Sequence, residues 1–117
     1  MGWLQRIAMH RAAKTYARRL PAEMHRGWGA ADFYTPGQVR AAVAHLGLNR
    51  RYIVIAYAAF LAEDEFATAA SETPVSATYA EARRIFGRYC PRGSGHTYWH
   101  VPISNEAAAS RYGVGAP

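Results

Sequence analysis

A chain of 117 residues, half of them hydrophobic and 24 of them alanine, has the size of one domain and enough apolar material for a single core, which excludes general disorder and favours helix. Thirteen arginines and one lysine face eight acids, for a net charge of +6, and the charge is blocked rather than spread. The single cysteine, Cys90, excludes an internal disulfide and a cysteine-based zinc site and makes a reducing, cytoplasmic setting the expectation.

The blocks are sharp: nine basic and two acidic residues over 1–51, five acidic and none basic over 52–82, then five basic and one acidic. They either complement an acidic partner, nucleic acid or lipid headgroups, or neutralise one another inside the fold. No secretory signal is visible, and Arg6 stands where a myristoylation pattern needs Ser or Thr.

Gly2 to Leu20 reads as an amphipathic helix with Trp3, Leu4, Ile7, Ala8, Ala12, Tyr16 and Leu20 as its apolar stripe. Arg6, His10, Lys14 and Arg18 follow one another at i, i+4 on another face, either a ridge for anionic lipid or phosphate or a solvated outer face. Pro21 stops or kinks this helix, since it lacks an N–H and clashes with the previous turn. One further turn over Ala22–Arg26 ends at Gly27, and Trp28 to Tyr34 is a loop whose rings are expected to plug the base of the core.

Thr35-Pro36-Gly37-Gln38 is the clearest local signal: an N-cap hydroxyl, proline at the first helical position, and glutamine placed to close a capping box. The helix is predicted over Pro36–Leu46, with Gly47 as its left-handed C′ residue and Leu48 folding back on Val43. Asn49 then caps the next helix at once, giving a helical hairpin. That helix contains Tyr52 to Ala62, eleven residues without a charged side chain. Apolar on every face and far short of the roughly 20 residues a bilayer requires, it is expected to be the buried central post.

Arg50 and Arg51 would open the post against its macrodipole, so they either frame an anion at the free N–H groups or reach into water. A DNA-reading helix-turn-helix is disfavoured, because Val54 and Ile55 take the outward positions and cannot read base edges. Glu63-Asp64-Glu65 starts a short helix to about Ala70, and Ser71 to Pro74 is a linker. Ser76 to Tyr89 is the next helix, with Tyr79, Ala82, Phe86 and Tyr89 on its apolar face and Arg83, Arg84 and Arg88 elsewhere; Thr78 and Glu81 have capping-box spacing.

Beyond Pro91 the composition changes to a Pro-Arg-Gly-Ser-Gly joint, a strand-like aromatic stretch from His96 to Ile103, and a short terminal helix over Asn105–Tyr112. His96 and His100 would lie roughly 13 Å apart on an extended chain, too far for one ion. Cys90 beside Arg88 and Arg92 is a thin case for a reactive thiol. No phosphate loop, dinucleotide fingerprint or zinc-protease motif occurs, so neither an enzyme nor a cofactor is expected.

Phe33-Tyr34-Thr35-Pro36-Gly37-Gln38-Val39, with Gly47-Leu48-Asn49-Arg50-Arg51-Tyr52 and Tyr57-Ala58-Ala59-Phe60-Leu61, resembles a family of short uncharacterised bacterial proteins classed as a domain of unknown function. The resemblance covers roughly Tyr16 to Phe66 and implies no activity and no site residues.

The expectation is thus an all-α single domain: about five helices around a buried central helix in residues 1–90, with an extended aromatic tail in 91–117. The expected function is a non-enzymatic adaptor or accessory subunit that binds another protein through Tyr98, Trp99, His100, Val101 and Ile103. The alternative is electrostatic binding to an anionic membrane surface or nucleic acid through Arg6, His10, Lys14, Arg18, Arg50 and Arg51.

Overall fold

Five helices in chain order make up the computed structural model, which describes residues 2–90. They are α1 (Trp3–Trp28), α2 (Pro36–His45), α3 (Ile53–Phe60), α4 (Glu63–Ala70) and α5 (Tyr79–Tyr89). No strand occurs among the described residues, so the all-α class expected from composition is what the chain adopts. The expected aromatic tail and terminal helix lie outside the described residues.

α3 is the post. All eight of its residues are buried, and Val54 and Ile55 are both 0% exposed. At about 1.5–3 kcal/mol for each large apolar side chain removed from water, its Ile53, Val54, Ile55, Tyr57 and Phe60 contribute heavily to folding. α5 packs along both α3 and α1, while α2 and α4 close the remaining sides.

A helix that ends inside a core must find partners for its last carbonyls without water. Here every one is answered. The Leu61 N–H donates to the Tyr57 carbonyl at 2.9 Å, and the Tyr34 N–H donates to Phe60 at 2.7 Å. The Arg83 guanidinium donates to Ala58 at 2.8 Å and Ala59 at 3.2 Å, and the Tyr79 hydroxyl donates to Leu61 at 2.8 Å. The rings of Tyr34, Phe60 and Phe86 pack edge-on around the same end. Placing Arg83 apart from the apolar face was therefore wrong: it is only 9% exposed, its positive charge meets the negative end of the α3 dipole, and its guanidinium lies 5.3 Å from the Tyr79 ring centroid.

The α2 boundaries follow from local chemistry. Thr35 and Gln38 form both bonds of the capping box, and Pro36 occupies the first turn. At the other end Gly47 has φ of +67°, and paired bonds from Leu48 to Val43 and from Gly47 to Ala44 form the Schellman closure. Leu46 is the C-cap, one residue beyond the helix proper.

Elsewhere the chain departs from the sequence reading. α1 runs through Pro21 and Gly27 to Trp28, 26 residues in all, where a stop or kink at Pro21 and an end at Gly27 were expected. An internal proline costs about 3 kcal/mol, and burying Leu20, Pro21 and Met24 offsets it, since each large apolar side chain returns about 1.5–3 kcal/mol. The buried stripe of α1 is Met9, Ala13, Tyr16, Ala17, Leu20 and Met24, and Trp3, Leu4 and Ile7 are exposed. At 26 residues α1 is about 39 Å long, far longer than its partners of 8–11 residues, and Trp3, Leu4 and Ile7 near its start are left uncovered while Met9 is already buried.

α3 begins at Ile53, not directly after a cap at Asn49, because the Asn49 side chain accepts the Arg51 N–H at 2.8 Å and makes a turn that competes with the helix. The Tyr16 hydroxyl, donating to the Asn49 carbonyl, ties this turn to α1. α5 begins at Tyr79 rather than Ser76, where the Thr78 side chain accepts from the Glu81 N–H. Of the three aromatics expected to plug the base, only Tyr34 does so; Trp28 ends α1 and Phe33 stays at the surface.

Candidate functional site

Because α3 is sealed on all sides, the surface of the described residues is made mostly by the outer faces of the other helices. Buried Val54 and Ile55 present nothing to a DNA groove, so α3 is not a recognition helix.

Three features stand out. The first is the overhanging tip of α1, where Trp3, Leu4 and Ile7 are 69%, 66% and 44% exposed. They recur at i, i+1 and i+4 and so share one side of a helix, which makes a contiguous apolar patch rather than scattered residues. Sequence periodicity found these residues and assigned them to the core. What it missed was that the bundle is shorter than the helix.

The second feature is a cleft of about 270 Å³ between α1 and α5, lined by Arg6, Met9 and His10 from one side and by Glu81, Arg84, Ile85 and Arg88 from the other, with Ser76 at its edge. His10 is half-buried, and its Nδ1 shares a 2.7 Å hydrogen bond with the Tyr89 hydroxyl. The two rings meet edge-on with centroids 5.6 Å apart. The expected ridge of four cations is thereby divided. Arg6 and His10 turn into the cleft, while Lys14 and Arg18 stay on the open face of α1. Arg84 and Arg88 belong with the first pair, a grouping that sequence spacing alone had no means of revealing.

Arg50 and Arg51 do not converge on a helix N-terminus, because both precede α3 in the turn. Arg51 lies over the Tyr52 ring, 5.8 Å from its centroid, and Arg50 borders a separate hollow shared with Arg40, Tyr57 and Glu72.

The third feature is Glu23, buried on α1 and held by Arg26 from its own helix and by His45 Nδ1 at 2.9 Å from the end of α2. The hydrogen bond from Arg26, helped by the charges of Arg26 and His45, holds its carboxyl below the usual range against the opposing pull of burial. This pairing clamps α1 to α2. Tyr98, Trp99, His100, Val101 and Ile103, expected to bind a partner, lie outside the described residues, as do His96 and the histidine-pair question. Cys90 is the half-buried C-cap of α5.

Comparison with known proteins gives one result. A family described as a family of unknown function (DUF6559) matches residues 4–96, a wider span than the resemblance around the Thr35–Gln38 element covered. No curated protein and no solved structure matches the chain.

Proposed function

The chain belongs to this family of unknown function, and from that premise we propose that it is a small, non-enzymatic bacterial protein of the cytoplasm that binds another protein, as an adaptor or as an accessory subunit of a larger complex. The observation that carries this reading is the α1 tip, where Trp3, Leu4 and Ile7 are exposed together at the start of a helix whose middle buries Met9, Tyr16, Leu20 and Met24. Tryptophan and large aliphatic residues presented together are the side chains from which interface anchors are drawn. Tyr98, Trp99, His100, Val101 and Ile103 supply a second set of anchors of the same chemistry.

The test is affinity purification from the source organism with the wild-type chain, the double variant Trp3→Ser/Ile7→Ser, and a chain ending at Cys90, each washed at low and high salt. One protein retained by the wild type through the high-salt wash and lost with the double variant is the expected result. An identical set of proteins on all three chains would remove the reading.

A second reading is favoured by the open face of α1. Arg11, Lys14 and Arg18 are exposed beside the same apolar tip, an arrangement that suits the surface of an anionic membrane, or nucleic acid through charge alone. No helix among the described residues is long and apolar enough to cross a membrane, so any such attachment is peripheral. Vesicle flotation and a DNA mobility shift at two salt concentrations separate these, since surface charge attraction collapses as the Debye length shrinks from about 10 Å at 0.1 M to about 3 Å at 1 M.

A further inference from the structure

We propose that the cleft between α1 and α5 is a binding site for a phosphomonoester dianion, held by Arg6, His10, Arg84 and Arg88. The site differs from both readings above: it uses neither Trp3, Leu4 and Ile7 nor Lys14 and Arg18.

Four observations carry it. Two i, i+4 pairs, Arg6 with His10 on α1 and Arg84 with Arg88 on α5, line one cleft between two packed helices. Arginines one helical turn apart repel each other, and among the described residues neither Arg6, Arg84 nor Arg88 is in an ion pair. Glu81, the one carboxylate in the lining, makes none either, so three guanidiniums face it with charge to spare. The cleft walls focus that positive potential on whatever enters.

His10 is held in place by the Tyr89 hydroxyl at Nδ1, which leaves Nε2 as its ring nitrogen for a ligand. Guanidinium forks match the paired oxygens of a phosphate far better than a spherical anion. A cleft of about 270 Å³ has room for a phosphate and a short organic group beyond it. Met9 and Ile85 offer that group apolar contact, and the Ser76 hydroxyl offers a polar one.

The same phosphate chemistry occurs on soluble phosphorylated compounds and on the headgroup of phosphatidic acid, and the experiment has an arm for each. Amide and arginine side-chain NMR signals are followed while the full chain is titrated with inorganic phosphate, then glycerol 3-phosphate, then phosphatidylcholine vesicles with and without phosphatidic acid. Saturable shifts centred on Arg6, His10, Arg84 and Arg88 are expected. Arg84→Gln/Arg88→Gln should weaken binding at least about tenfold, as loss of charge-assisted hydrogen bonds does. Lys14→Gln/Arg18→Gln, outside the cleft, should change it less than about twofold, as for exposed charges.

Binding of the two soluble probes alone identifies a free phosphorylated ligand, and binding of phosphatidic acid vesicles alone identifies a headgroup; either supports the site. If the α5 double variant fails to fold, Arg6→Gln at the helix tip takes its place with the same expected loss. No saturable shift with any probe overturns the proposal, as does equal weakening by the cleft and outer-face variants, which means diffuse charge attraction.

Discussion

Replacing Arg83 by methionine keeps most of the aliphatic stem in the core and removes the guanidinium that closes the end of α3. Two buried carbonyls, Ala58 and Ala59, then lose donors now at 2.8 and 3.2 Å. At about 1–3 kcal/mol for the Ala58 carbonyl left unmade, with about 0.3–1 kcal/mol for the helix-dipole interaction, Arg83→Met should cost roughly 1–4 kcal/mol. Relief of the buried charge's desolvation works the other way, and keeps the expected loss toward the lower end. Against a total stability on the order of 5–15 kcal/mol this is a large fraction. Urea denaturation followed by far-ultraviolet circular dichroism reads it as a fall in midpoint with little change in slope. Arg83→Lys, which keeps a charge but has no fork to span two carbonyls, should fall between the two. If Arg83→Met unfolds within about 0.5 kcal/mol of wild type, the scatter of ordinary surface substitutions, then the carbonyls of α3 are satisfied in some other way and the capping argument fails.

Three further expectations concern other parts of the molecule. Gly47→Ala should cost about 1–2 kcal/mol from backbone strain at φ of +67° alone, because an added Cβ would meet nothing within 4 Å; the same denaturation curve checks it. Glu23 has a folded-state pKa below its unfolded one, so its pairs contribute fully above the ordinary carboxylate pKa of about 4.3 and are lost as pH falls to and through the lowered folded value. Glu23→Gln should therefore flatten the acid side of a stability-versus-pH profile, and an unchanged acid limb would contradict the assignment. Trp3→Ser/Ile7→Ser should leave the thermal midpoint within the change expected for about 0.5 kcal/mol, because both side chains lie on the exposed surface and neither belongs to the core.

How much of this was legible in the sequence depends on the range of the forces involved. Thr35, Pro36 and Gln38 fix the start of α2, and Gly47 fixes its end, through bonds to residues within five positions, and those features read directly. The apolar run at Tyr52–Ala62 and the acid start of α4 were equally plain, since burial on every side and a carboxylate at a helix start are written in residue type. Pro21 misled because its local penalty is real, but burial of its neighbours by other helices outweighs it. Asn49 misled in the opposite sense: it is a good cap, but it is also a good turn residue, and the bond from Tyr16, 33 positions away, favours the turn.

The surface was less legible than the core. Arg83, Arg84 and Arg88 look alike in sequence, yet one is buried on the end of α3 and two line the cleft with Arg6 and His10. Nothing within α5 distinguishes them; the approach of α3 on one side and of α1 on the other does. Likewise the periodicity of Trp3, Leu4 and Ile7 is that of a core-facing helix, and only the length of α1 relative to its partners leaves them exposed.

Native-state hydrogen exchange on the isolated, full-length protein tests most directly whether the core is complete without the α1 tip and leaves that tip open to another protein. Amides of Ile55 to Phe60 should exchange only through global unfolding, while those of Arg6 and Ile7, in the overhanging turns of α1, should exchange orders of magnitude faster. Protection at the tip equal to that of α3 would mean that the tip is already covered in the lone chain, and would contradict the account.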